Sequence, residues 1–168
     1  EGWDLKALAD EHKVDWNDII TTTICGKCHR YEVKPFSRPN DKCKFCLEPN
    51  SVNTTGVALG VSEKELNEVY NLMDVYCHPF TSGGQEIPIQ EAKLTELITL
   101  VTNYSCGEEM CEPEAASLPL NWSEYREHGT EFIKASTRPN SICNQLTKVL
   151  KMKPKQKELM GKQGRQWA

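Results

Sequence analysis

The sequence predicts an α/β protein in which helices flank a parallel sheet and a small four-cysteine segment is inserted near the start. Three observations carry this expectation. Beyond Ser62, short apolar runs alternate with apolar residues at helical spacing, the order that crossover connections impose on a parallel sheet. Cys25-x2-Cys28 and Cys43-x2-Cys46 form two close pairs with 14 residues between them, a spacing that suits a local metal site. The 168 residues are 38% hydrophobic and 26% charged, which excludes a disordered or fibrous chain and fits one domain with a small insertion.

Trp3, Leu5, Leu8 and Ala9 predict a helix reaching about Lys13. Residues 14–24 end in the β-favouring run Thr21-Thr22-Thr23-Ile24, which predicts a strand leading into the cysteines. Between the pairs, Pro35, Pro39 and Asn40 predict turns. Ser62-x-x-Glu65 is a capping box. The spacing of Leu66, Val69, Tyr70 and Met73 then predicts an amphipathic helix closed by Asp74. Val75 to His78 predict a short buried strand, with Cys77 inside it as a small hydrophobe.

After a glycine-rich loop, Pro88 suits the start of a helix running through Glu96. Ile98 to Thr102 predict a strand, and residues 106–119, with four glutamates, predict an irregular acidic stretch. Residues 130–135 predict one more strand. Ile142, Leu146, Val149 and Leu150 mark a helix, and Pro154 starts a last one.

The net charge of −4 hides an asymmetry, because residues 25–46 carry +4 and residues 148–165 carry +6. An acidic body with two basic patches can meet an anionic partner at either one. No apolar run approaches the roughly 20 residues needed to span a bilayer. No secretory leader is visible, so the chain is expected to be cytoplasmic. It begins at Glu1, in sequence that already reads as helix, and is expected to be part of a longer polypeptide.

Four thiolates from Cys25, Cys28, Cys43 and Cys46 complete a tetrahedral site for a structural Zn2+. The segment between them is too short and polar to order itself, so the metal would supply the missing free energy. The alternatives are two disulfides or four free thiols, and the lack of a leader favours the metal. His29 adjoins the cluster, but four cysteines suffice. Cys77, Cys106, Cys111 and Cys143 have no such pairing.

The loop Thr81-Ser82-Gly83-Gly84-Gln85-Glu86-Ile87-Pro88 joins a strand to a helix. In a parallel sheet, ligands bind beyond the carboxyl ends of the strands. Gly83 and Gly84 allow close approach and positive φ, and the helix start offers free N–H groups to an anion. Glu91, one turn in, can accept hydrogen bonds from vicinal hydroxyls. A nucleotide diphosphate offers both phosphate and hydroxyls.

The stretch 61–102 resembles the donor-binding half of GT-B retaining glycosyltransferases (group 1). The resemblance rests on Val61-Ser62, Glu65-Leu66, Tyr70, Asp74-Val75, His78-Pro79, Gly84, Ile87-Pro88 and Glu91-Ala92, in one register without a gap. Met160-Gly161, Gly164-Arg165 and Trp167 resemble the family's terminal helix. The resemblance implies a Rossmann-like nucleotide-sugar-binding domain over residues 1–24 and 51–168, with residues 25–50 as a zinc-ribbon-like insertion. It implies transfer of a sugar from a nucleotide-diphosphate donor to an acceptor hydroxyl on a glycan, lipid or protein, with retention. Gly83, Gly84, Gln85, Glu86, Ile87 and Glu91 would bind the donor, with Glu91 on the ribose.

The family's first motif glutamate falls on Gly83 and its second loop glycine on Glu86, so the usual pair of acids is not intact. Glu86 or Gln85 is the candidate replacement for the missing side chain. The acceptor domain and the first donor-domain strands are not in this sequence. Their lack would leave a sheet edge open or paired with another copy, and an isolated fragment would lack turnover. A competing expectation is a noncatalytic binding module that grips nucleic acid or an acidic protein through Arg30, Lys34, Arg38 and Lys42, with Tyr31 and Phe36 stacking on bases.

Overall fold

The computed structural model describes residues 4–36, 41–56 and 58–168. Trp3, Arg38, Pro39 and Asn40, each invoked above, lie outside the described residues. The chain divides into two compact units, one ending at Val69 and the other beginning at Tyr70. The division thus falls after the cysteine segment rather than around it.

In the first unit, helix α1 (Leu5–Glu11) starts at Asp4, whose carboxylate accepts from the N–H groups of Lys6 and Ala7. Such a cap satisfies donors that the first turn leaves unpaired. After a single 3-10 turn at Trp16–Asp18 the chain enters β1 (Ile20–Cys25). This threonine-rich strand is central, with β2 (Tyr31–Pro35) and β3 (Val52–Thr54) antiparallel on either side. Residues 31–35 are therefore strand, where turns are expected from the prolines. Pro35 sits at the end of an edge strand, opposite Ile20, where a missing N–H breaks no inner ladder. Phe36 packs against Trp16 with ring centroids 5.1 Å apart.

Helix α2 (Glu63–Tyr70) begins with the expected capping box. The Ser62 N–H and hydroxyl donate to Glu65 Oε2 at 2.7 Å. The helix is shorter than its apolar spacing predicts. Met73 donates its N–H to the Tyr70 carbonyl in a closing turn, and Leu72 and Met73 are exposed.

The second unit is built on a three-stranded parallel sheet, β4 (Val75–His78), β5 (Ile98–Thr102) and β6 (Leu118–Leu120), in the order β4-β5-β6. Every residue of β5 is buried, as a central parallel strand covered on both faces requires. Helix α3 (Ile87–Leu94) is the β4–β5 crossover and stops two residues short of Glu96, which has φ 62°. Helix α4 (Gly107–Met110) and a 3-10 turn at Pro113–Ala115 lead into β6.

Residues 106–119 are thus ordered, not irregular. Their glutamates face water while Met110, Ala115 and Leu118 are buried, a pattern that a composition reading averages away. Gly107 is required here, because a Cβ would strike the Thr102 carbonyl and the Phe80 ring.

An antiparallel hairpin of β7 (Trp122–Arg126) and β8 (Ile133–Thr137) follows, so the strand expected at 130–135 is shifted and has a partner. Two helices close the chain, α5 (Pro139–Lys151) and α6 (Pro154–Trp167). Ile98, Leu100, Leu118, Leu120 and Val149 form one core cluster, joined by Val75, Cys77, Ile142, Met152 and Met160. Ile89, Val101 and Met110 form a second cluster, with Tyr76, Phe80, Cys111 and Trp167. The result is a parallel sheet flanked by helices.

Candidate functional site

The four sequence-predicted cysteines come together. Cys25 and Cys46 Sγ lie 3.7 Å apart, Cys28 and Cys43 Sγ lie 3.8 Å apart, and all four sulfurs fall within 4.8 Å of one another. A tetrahedron with metal–sulfur bonds of about 2.3 Å puts its corners roughly 3.8 Å apart. The cluster therefore fits a single structural metal ion. Disulfide sulfurs lie about 2.05 Å apart, and all four cysteines are free thiols.

The backbone explains the convergence. Cys25 N–H donates to the Arg30 carbonyl and His29 N–H to the Cys25 carbonyl. Cys43 N–H donates to the Glu48 carbonyl and Leu47 N–H to the Cys43 carbonyl. The two knuckles are one turn built twice, with His29 at φ 56° and Leu47 at φ 61° in equivalent places. His29 serves this turn through its backbone. The Ser51 hydroxyl, 3.3 Å away, and the N–H groups of Cys28 and Lys27 hold the Cys25 thiol down to about 6. A Glu48 N–H pulls Cys46 down as well, yet burial and the neighbouring sulfurs push it up to about 12. A cation at the centre removes this conflict among crowded sulfurs.

The second predicted site lies at the carboxyl end of β4. Glu86 caps α3 and turns its carboxylate back over Gly83, where a Cβ would collide with it. Its Oε2 lies 3.1 Å from His78 Nε2, and His78 Nδ1 lies 3.2 Å from the Tyr76 hydroxyl. The tautomer that satisfies both contacts carries its proton on Nε2. Glu91, one turn into α3, accepts from the Tyr70 hydroxyl at 2.9 Å. Burial, then the bond to Glu91, raises the Tyr70 phenol well above its ordinary value, so it stays a donor. The Tyr70 and Tyr76 rings pack with centroids 5.8 Å apart. Both carboxylates are thus held from behind by β4 side chains or the residue closing α2.

The loop is tied down from the other side. The Gly83 carbonyl accepts from the Ser105 hydroxyl at 2.8 Å, and the Thr81 carbonyl accepts from Ala135 N–H at 2.8 Å. Among the described residues, Gly84 and Gln85 donate their N–H groups to no backbone carbonyl. Neither Gly83 nor Gly84 has positive φ, a conformation that Gly129 takes instead. Their value here is the missing side chain, not backbone freedom. Among the described residues the Gln85 side chain reaches only Gln90, at 3.4 Å, and Ile87 is exposed.

The sequence motifs point to Glu86 and Glu91 but not to Tyr70, Tyr76 and His78, which support them. Alternation along β4 puts Tyr76 and His78 on one face, which is the signal that finds them. Of the residues proposed for nucleic-acid binding, Phe36 packs on Trp16, the Tyr31 hydroxyl donates to Glu68, Lys34 pairs with Asp41, and Arg30 lies over the Phe45 ring.

No protein-family model, curated protein or solved structure matches the chain. The class that fold and site define is therefore a mixed α/β protein with a parallel three-stranded sheet and a four-cysteine cluster compatible with a structural metal. No helix among the described residues is long and apolar enough to cross a membrane.

Proposed function

We propose that this chain is the donor-binding part of a retaining GT-B-type glycosyltransferase, with the cysteine cluster holding a structural zinc ion. The observation that carries this reading is that Glu86 and Glu91, at the start of the helix that follows a parallel strand, are each held by a side-chain partner, after two loop amides, Gly84 and Gln85, that donate to no backbone carbonyl among the described residues.

In this reading Glu91, steadied by Tyr70, accepts from the hydroxyls of the donor pentose. The amides of Gly84 to Ile87 face the diphosphate and sugar. Glu86 lies over Gly83 and occupies the space of the side chain that Gly83 lacks, so it takes the sugar contact. The protein works by orienting the donor and stabilising the charge of the departing diphosphate. No side chain here acts as a nucleophile. Zinc, when bound by Cys25, Cys28, Cys43 and Cys46, neutralises the thiolates and closes the loop between the knuckles.

Calorimetric titration with UDP, GDP and their sugar conjugates tests this. One nucleotide sugar is expected to bind, and Glu91→Ala is expected to weaken it at least about tenfold by removing a charge-assisted hydrogen bond. Glu86→Gln is expected to weaken the sugar conjugate but not the bare nucleotide. Equal binding of both ligands by wild type and Glu86→Ala would remove Glu86 from the site.

A further inference from the structure

We propose that the surface formed by α5 and the start of α6 docks on an anionic lipid bilayer. From Arg138 to Lys157 the chain has six basic residues and no acidic one, although its net charge is −4. Lys148, Lys151, Lys153, Lys155 and Lys157 form no ion pair among the described residues, whereas Lys34, Lys44, Lys134 and Lys162 do. An open groove of about 430 Å³ is lined by Asn144, Thr147, Lys148 and Lys151 of α5, by Met152 and by Gln156 of α6. These polar groups include two ammonium groups and no carboxylate.

Beside the lysines the surface is aliphatic. Leu150 is 79% exposed, and Leu146 and Leu159 are exposed as well. Leu146 and Leu150 stand one turn apart on α5, while Val149 between them is buried in the core. Val149 and the partly buried Ile142 turn one side of the helix to the core, whereas Leu150 projects into water.

Composition selects the partner. Nucleic-acid surfaces combine basic groups with aromatic platforms, and α5 carries no aromatic residue. Lysine beside leucine matches a charged interface over hydrocarbon. The ammonium groups meet lipid phosphates while the stems and leucines enter the acyl boundary. Unpaired lysines also keep their full attraction to a negative surface. This proposal stands independently of the donor-site reading, since it uses none of the same residues.

Co-sedimentation of the 168-residue chain with vesicles tests it. The chain is expected to bind vesicles containing about one third phosphatidylserine and not pure phosphatidylcholine, and to dissociate near roughly 0.5 M salt, where charges are screened. Each lysine removed in the series K148Q, K151Q, K153Q is expected to weaken binding about fivefold. Leu150→Gln is expected to weaken it about tenfold, and Lys162→Gln to leave it unchanged. The variants lie on the surface, and circular dichroism checks that they fold. Equal binding to neutral vesicles, no binding to either kind, or an unaltered triple variant would overturn the proposal. So would capture of polyuridylate without capture of vesicles.

Discussion

Leu47 and His29 occupy a left-handed backbone position at the same point of the two knuckles, a conformation that costs a side-chain-bearing residue about 1–2 kcal/mol. Leu47 is also 61% exposed, so its side chain returns little packing. Leu47→Gly is expected to stabilise the metal-loaded first unit by about 1 kcal/mol, read from thermal melts. Lys93 presents the opposite case, a charge with almost no access to water. It is fully buried on α3, donates to the Ala115 carbonyl, and sits 5.1 Å from the centre of the Trp167 ring. Burial lowers its ammonium to about 8, while an unfolded lysine titrates near about 10.4. Between those values the unfolded chain holds more protons, so stability rises with pH across that window and is flat in this respect below it. Lys93→Met is expected to flatten the rise, measured as urea midpoints from pH 7 to 10 for both proteins. An equal slope in the variant would locate the titration elsewhere.

At the scale of elements, helix α6 is fixed against the turn that follows α3 by a glycine. A Cβ on Gly161 would meet the Glu96 carbonyl oxygen, which is backbone and does not yield. Gly161→Ala is expected to cost about 1–3 kcal/mol, seen as a lower melting temperature of the second unit. The elements most legible in the sequence are those whose signal is local. The capping box at Ser62, the strand at Ile98–Thr102 and the terminal helices are placed by their own residues. Strands β2, β6 and β7 are less legible, because each is specified by a neighbour. Tyr31–Pro35 pairs along β1, Leu118–Leu120 is held by β5, and the polar Trp122–Arg126 has β8. The site divides in the same way. Cysteine spacing reads directly as a cluster, whereas the support of Glu91 by Tyr70 needs an approach across 21 positions of chain.

For the whole molecule, the two units draw on different sources of stability. The second has two apolar clusters on its parallel sheet. The first is a three-stranded sheet around a thiol cluster, with few buried apolar residues among those described. Chelation of the metal is therefore expected to unfold the first unit alone, leaving slow hydrogen exchange in β5 while protection in β1 is lost. Acid is expected to act in the same direction, since the thiolates must take up protons to release the ion.

The donor-site claim is tested most directly by amide NMR of the labelled chain during titration with a nucleotide-diphosphate sugar. Shifts are expected to be confined to Gly83–Glu91 and Tyr70 and to be abolished by Glu91→Ala. Shifts clustered in the cysteine knuckles, or none anywhere at millimolar ligand, would contradict it.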